Sequence, residues 1–102
     1  FAQDALALAL AQELVGSGQD RSLPTARRVF AYMPYMHSES AVIHEQVLTL
    51  FAQPGMENNL NFERRHKAII DRFGRYPHRN AILCRPSTPE ELAFLSTPGS
   101  SF

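Results

Sequence analysis

The sequence predicts an all-α protein made of four or five short helices. Apolar residues recur at helical spacing in several segments, helix start and stop signals separate these segments, and no segment resembles a strand with a partner. Short connections between the helices favour antiparallel neighbours. A chain of 102 residues is long enough to form one domain with a single core.

The first helix is predicted from about Ala2 to Val15. Ala and Leu dominate this segment, and both are strong helix formers. Apolar side chains fall on two sides of the helix, so we expect neighbours on both faces. One stripe contains Leu6, Leu10 and Leu14, and the other contains Leu8 and Val15.

The second and third helices are predicted on either side of a proline corner. The second begins with Ser22 near its cap and Pro24 in its first turn, and it should end near Met33 because Pro34 clashes with the preceding turn. Ser38 or Ser40 can cap the third helix. The apolar face of the third helix contains Ile43, Val47, Leu50 and Phe51.

The fourth helix is predicted over Glu57 to Phe73 and ends at Gly74. Its polar face offers two i,i+4 pairs, Glu63 with Lys67 and Lys67 with Asp71. Its apolar face contains Phe62, His66, Ile69, Ile70 and Phe73. A short last helix over Pro89 to Leu95 follows a capping box formed by Thr88 and Glu91.

The composition limits the classes of partner. Ten Lys and Arg balance ten Asp and Glu, which argues against nucleic acid or anionic lipid as a partner. No apolar run approaches the roughly 20 residues of a membrane span, and a single cysteine is typical of a reducing compartment. We therefore expect a cytoplasmic protein. Because the chain starts at Phe1, it is interpreted as a piece of a longer domain.

A metal site and a nucleophilic cysteine are two possible chemistries. His37, Glu39 and His44 cluster in sequence, but the two histidines lie seven apart with a helix start between them, which does not suit zinc. Cys84 has only the neighbouring Arg85 and a possible approach of His78 to activate it. We expect no metal and no cofactor.

Two further features have both a structural and a functional interpretation. His66 lies on an apolar helix face, where it is either a core histidine bonded to a carbonyl or carboxylate, or a ligand in a pocket. The segment 75–85, RYPHRNAILCR, concentrates cations just after a helix end. Those cations either complement the helix dipole or bind a phosphate or carboxylate.

Segments 28–40 and 61–95, with the closing PGSSF, resemble the family grouped as domain of unknown function 924. The family signature reads close to Tyr-x-Pro-x-x-His-Ser-Glu and Phe-Gly-Arg-Phe-Pro-His-Arg-Asn. Two departures are Tyr76 in place of Phe and Cys84 in place of Gly. The resemblance implies antiparallel helix pairs in a tetratricopeptide-like superhelix, with this chain as the C-terminal half.

The resemblance implies no reaction, so function is inferred from the two motifs together. We expect a binding module for an acidic peptide or a small anionic ligand, with a second copy or a complementing N-terminal segment as a partner. The alternative is a hydrolase or transferase acting on an anionic substrate, with His37 or His78 as general base. Arg79 and Arg85 would clamp the anion and Glu39 would orient an Arg or His. The candidate site contains His37, Ser38, Glu39, His66, Arg75, His78, Arg79, Asn80 and Arg85.

Overall fold

The computed structural model describes residues 3–100, which form only helices and turns. Within that range the elements are α1 (Asp4–Gly16), a 3-10 helix (Gln19–Ser22), α2 (Thr25–Met36), α3 (Ala41–Phe51), α4 (Glu57–Phe73), a second 3-10 helix (Pro77–Arg79) and α5 (Pro89–Leu95). Helices α1, α2 and α3 each pack against the next helix along the chain. The all-α prediction is confirmed, while the tetratricopeptide-like superhelix stays a prediction. No described helix is long and apolar enough to cross a membrane.

Helix α1 begins at Asp4, so the predicted start at Ala2 lies outside the described residues. Leu8 and Val15 pack against the core. Leu6 and Leu10 remain 63% and 59% exposed. Within the described chain the helix is therefore covered on one face, and the predicted second contact face is open.

The predicted end of the second helix near Met33 is wrong, because α2 continues to Met36 with Pro34 inside it. Burial explains the extension, since Tyr35 and Met36 are each 3% exposed and anchor the last turn in the core. Pro34 removes one N–H from the helix ladder, a loss that core packing outweighs here. Ser22 does not cap α2 either: it ends the preceding 3-10 helix, where its hydroxyl donates to the Gln19 carbonyl at 2.7 Å.

Helix α3 begins at Ala41 and is capped by Ser40, one of the two predicted caps, whose Oγ accepts from the Ile43 N–H at 3.5 Å. In α4 two predicted positions are wrong. Phe62 is 53% exposed although its position belongs to the apolar stripe. Glu63 is fully buried and does not pair with Lys67, whereas the other predicted pair, Lys67 with Asp71, is confirmed at 2.7 Å. The reason is that α3 covers the α4 face at Glu63, where His44 supplies a polar partner at 2.7 Å.

The core has two apolar clusters that meet at Tyr76. Helices α1 to α3 and Met56 form the larger cluster, and α4 forms the smaller one with Tyr76 and Phe94. Tyr76 is fully buried, and its hydroxyl donates to the Met36 carbonyl at 2.5 Å. This contact ties the segment after α4 to the end of α2, where the two sequence motifs meet.

Candidate functional site

Gly74 starts the second motif by ending α4 in the left-handed conformation, with φ of 73°. A residue with a side chain is disfavoured there, which explains the glycine. The chain then turns through the 3-10 helix Pro77–Arg79, and Tyr76, Pro77, Arg79 and Asn80 are all buried. The motif therefore folds back against the corner between α2 and α3 instead of extending into solvent.

Glu39 joins the two motifs. Its carboxylate accepts from Arg85 Nη1 at 2.9 Å and Nη2 at 3.1 Å, and from the Tyr76 backbone N–H at 2.6 Å. Burial alone would raise the pKa of Glu39, but the hydrogen bonds from Arg85 and Tyr76 lower it below its usual value. Glu39 therefore orients an arginine, as the sequence suggested, and that arginine is one of the two expected anion clamps.

A second carboxylate, Glu91, holds the other end of the motif. Arg75 Nε donates to Glu91 Oε2 at 2.9 Å and Arg75 Nη2 donates to Oε1 at 2.8 Å. The predicted capping box is present, with Thr88 N–H donating to Oε1 at 2.9 Å. Asn80 Nδ2 donates to Ser87 Oγ at 3.0 Å. Arg75 and Asn80 thus bind groups of the protein itself.

Acid is expected to destabilise the protein through Glu91. The hydrogen bonds from Arg75 lower the pKa of Glu91 to about 2 against the opposing effect of burial, whereas its ordinary value is 4.5. Because the pKa of Glu91 is lower in the folded state than in the unfolded state, ionised Glu91 stabilises the fold at pH values above 4.5. This stabilisation is lost as the pH falls from 4.5 toward 2. Melting temperatures across this range should fall less for Glu91→Gln than for the native chain. Glu90→Gln, at an exposed neighbour, should keep the native profile, and an identical profile for Glu91→Gln would contradict the prediction.

Arg79 contacts a backbone carbonyl and an aromatic ring in addition to a carboxylate. Its Nη2 donates to the His37 carbonyl at 2.9 Å, and its guanidinium lies 4.8 Å from the centre of the Tyr76 ring. The Asp4 carboxylate is 3.6 Å from Nη1. Although Arg79 is only 8% exposed, it lines two cavities. The structure therefore fixes one guanidinium in the wall of a recess.

The recess is a cavity of about 350 Å³, called here the histidine cavity. An adjoining cavity of about 370 Å³ shares Asp4, His37 and Arg79 with it and extends to Ser38, Glu39 and Leu83. The histidine cavity is lined by Asp4, Met33, Met36, His37, Phe62, His66, Tyr76, His78 and Arg79. Predicted residues from both motifs and from α4 thus border one space, together with Asp4, which the sequence did not indicate.

The three histidines of the cavity favour the neutral form. Desolvation lowers the pKa of His37 and of His78, and the charge of Arg79 lowers both further. Burial also lowers the pKa of His66, although its Nδ1 bonds to the Phe62 carbonyl at 2.7 Å. His66 therefore combines the two roles predicted for it, as a bonded core histidine that also lines a cavity.

A buried polar network beside the cavity was not predicted from the sequence. His44 Nδ1 lies 2.7 Å from Glu63 Oε2, while Nε2 lies 2.6 Å from the Ser38 carbonyl and 3.0 Å from the Tyr76 hydroxyl. Burial raises the pKa of Glu63 even though the bond to His44 opposes this shift. The spacing along α4 could have predicted the burial of Glu63, since it lies three residues before His66 and seven before Ile70, on the same helix face. Within residues 3–100 no cluster of His, Cys, Asp or Glu side chains could hold a metal ion.

Cys84 is exposed and adopts φ of 56°, a conformation that favours glycine. Cys84 lines neither of the cavities beside Arg79.

The fold and the two joined motifs define an all-helical protein with an arginine and three histidines around one cavity. The chain belongs to a family described as bacterial proteins of unknown function (DUF924), whose profile matches residues 1–99. It is 38% identical to a protein of unknown function from Agrobacterium tumefaciens whose structure is solved, with a TM-score of 0.87 over 94% of this chain. The chain spans about half of that structure, 54% of its length. None of the curated proteins matches the chain.

Proposed function

We propose that the protein binds a small ligand through an anionic group, a carboxylate or a phosphate, in the histidine cavity. The observation that supports this is the position of Arg79, whose guanidinium is buried in the wall of the cavity and held there by the His37 carbonyl and the Tyr76 ring. A cation that is already oriented loses little conformational entropy when it binds an anion. The cavity volume of about 350 Å³ suits a small ligand better than a peptide.

The residues of the predicted site then have different roles. Arg75 and Arg85 pair with Glu91 and Glu39, so we assign them to positioning the loop that contains Arg79. His66 and His78 border the cavity as neutral imidazoles, which can donate one hydrogen bond and accept another. Apolar contact comes from Met33, Met36 and Phe62. A ligand with one anionic group and a short apolar body fits this lining.

Arg79→Lys is expected to weaken binding of 4-methylpentanoate or inorganic phosphate by about tenfold or more, because lysine keeps the charge but loses the planar fork. Isothermal titration calorimetry on the full chain measures this. Arg64→Lys is the matched control, since Arg64 is exposed on α4 and lines neither cavity that contains Arg79. Equal losses in both variants, or unchanged affinity in Arg79→Lys, would contradict the proposal. Melting temperatures of both variants separate lost binding from lost folding.

The runner-up is an enzyme, a hydrolase or transferase, acting on the same anionic ligand. It is favoured by the lowered pKa values of His37 and His78, which leave an imidazole able to accept a proton beside Arg79. Turnover separates the two functions. A binding protein returns the ligand unchanged, whereas an enzyme forms a product at a rate that depends on His37 or His78.

We also propose that a further helical segment of a longer chain covers the open face of α1 and α2. A groove between these helices is lined by Ala7, Leu10, Ala11, Leu14, Phe30, Ala31 and Pro34. Phe30 is 79% exposed, and the solved relative has additional chain beyond the matched 54%. A contiguous apolar surface of this kind is usually an interaction site.

The lone cysteine supports a cytoplasmic location, which cell fractionation would test.

Phe30→Glu is expected to change the free energy of unfolding of the 102-residue chain by less than about 0.5 kcal/mol, because the side chain is exposed there. In a longer form of the protein the same substitution should cost about 2 kcal/mol or more, because a covered phenylalanine loses its apolar contacts. Urea unfolding of both forms measures the difference. Equal small effects would contradict the proposal, and a dimer of the 102-residue chain that Phe30→Glu dissociates would identify a second copy as the occupant.

A further inference from the structure

Asp4 is the acidic residue of the histidine cavity, and the anion-binding proposal does not use it. It is the first residue of α1 and its side chain is 43% exposed. Besides the histidine cavity and the adjoining cavity, it lines a third cavity of about 420 Å³ with Phe30 and Met33. A carboxylate therefore lies at the point where these three spaces meet.

The distance between Asp4 and Arg79 leaves room for a ligand to interact with both. Their closest charged atoms, Asp4 Oδ2 and Arg79 Nη1, are 3.6 Å apart. Charge-assisted hydrogen bonds between such groups measure about 2.7–2.9 Å, so this pair is looser than the pairs that hold Arg75 and Arg85. Those tighter pairs have distances of 2.8 Å and 2.9 Å. A loose, partly exposed pair costs less to separate than a tight one.

Two opposite charges, Arg79 and Asp4, are among the described residues that line the cavity. Arg79 contributes one positive charge, Asp4 contributes one negative charge, and Glu39 is paired with Arg85. The pKa values of the three histidines are lowered, so they add little charge at neutral pH. A ligand with only an anionic group is attracted by Arg79 but repelled by the nearby Asp4, so it binds less tightly than a ligand with both charges. A ligand with both charges satisfies both groups.

We infer that the ligand is a zwitterion whose ammonium group is held by Asp4 while its carboxylate is held by Arg79. This inference rests on the proposed function and narrows it to compounds with the two groups on one or two adjacent carbon atoms, as in an α-amino acid. The body of the ligand lies toward Met33, Met36 and Phe62, which are the apolar residues of the cavity wall. Asp4 provides selectivity against simple carboxylates. Such a ligand has no ammonium group, so the carboxylate of Asp4 would face the bound anion without a positive charge between them.

Three related probes test the inference by calorimetry on the full chain: L-leucine, 4-methylpentanoate, which lacks its amino group, and 3-methylbutylamine, which lacks its carboxylate. L-leucine is expected to bind at least tenfold more tightly than the other two, because each of them lacks one charged contact. Asp4→Asn should weaken the binding of L-leucine by about tenfold and should strengthen the binding of 4-methylpentanoate. Asp4→Glu keeps the charge and should retain part of the preference, which separates a charge effect from misfolding at the start of α1.

The outcomes distinguish this inference from the proposed function. If 4-methylpentanoate binds as tightly as L-leucine and Asp4→Asn changes both alike, the site binds anions and the zwitterion inference is wrong. If none of the probes binds the native chain or Asp4→Asn, and inorganic phosphate also fails, both proposals are wrong. Tighter binding of the amine than of either carboxylate would overturn the role given to Arg79.

Discussion

Glu63→Leu is expected to lower the free energy of unfolding by about 3–5 kcal/mol, which is the usual cost of removing one partner from a buried charged pair. His44 Nε2 faces the Ser38 carbonyl at 2.6 Å, so this nitrogen must carry a hydrogen. Its Nδ1 then relies on Glu63 Oε2 at 2.7 Å, and leucine leaves that nitrogen buried without a partner. Urea unfolding followed by circular dichroism measures the change.

Glu63→Gln is the matched variant, since its side-chain amide can either accept a hydrogen bond from Nδ1 of His44 or donate one to it. We expect it to cost only about 1 kcal/mol, the scale of one altered hydrogen bond. If Glu63→Leu does not fold at all, Glu63→Gln still decides the point, because the expected difference depends on the hydrogen bond to His44. If Glu63→Gln lowers the free energy of unfolding as much as Glu63→Leu does, His44 requires the negative charge of the carboxylate and not only a hydrogen-bond partner.

Tyr76→Ala is the second substitution with a large expected effect, a loss of about 3–5 kcal/mol of stability. Tyr76 is fully buried between the two apolar clusters, and its ring makes edge contacts with His44 and His66 at centroid distances of 6.1 and 5.8 Å. Alanine would open a cavity where the second motif packs against α2. Thermal or urea unfolding of the full chain would report the loss.

Tyr76→Phe separates the ring from the hydroxyl. Phenylalanine keeps the packing and removes the 2.5 Å bond to the Met36 carbonyl, so we expect a cost of about 1 kcal/mol. A loss equal to that of Tyr76→Ala would mean that the hydroxyl network, and not the ring, stabilises the contact.

Local patterns account for the parts of the fold that were predicted correctly. Thr88 with Glu91, Ser40, and Gly74 act within about four residues of their own position, because capping bonds and left-handed turns involve only neighbouring backbone groups. The predicted end at Met33 failed for the opposite reason. Burial of Tyr35 and Met36 by distant helices overrode a local proline signal.

The candidate site was predicted in part. Both motifs and His66 do border one cavity, and the motif residues were named from sequence. Asp4 was missed because an acidic residue in the first turn of a helix has an ordinary structural explanation. The different roles of the arginines could not be predicted from the sequence either, since Arg85 pairs with Glu39, which lies 46 positions away in the chain.

The sequence alone determined the all-helical class, most helix ends and the two polar motifs, because each depends on contacts between close neighbours along the chain. Tertiary structure alone decided which charges neutralise each other. Arg75 pairs with Glu91 and Arg85 pairs with Glu39, whereas Arg79 lies in a cavity wall beside Asp4. The reason is geometric: similar arginines in one short segment differ in role only through the side chains that distant helices bring within about 4 Å of them.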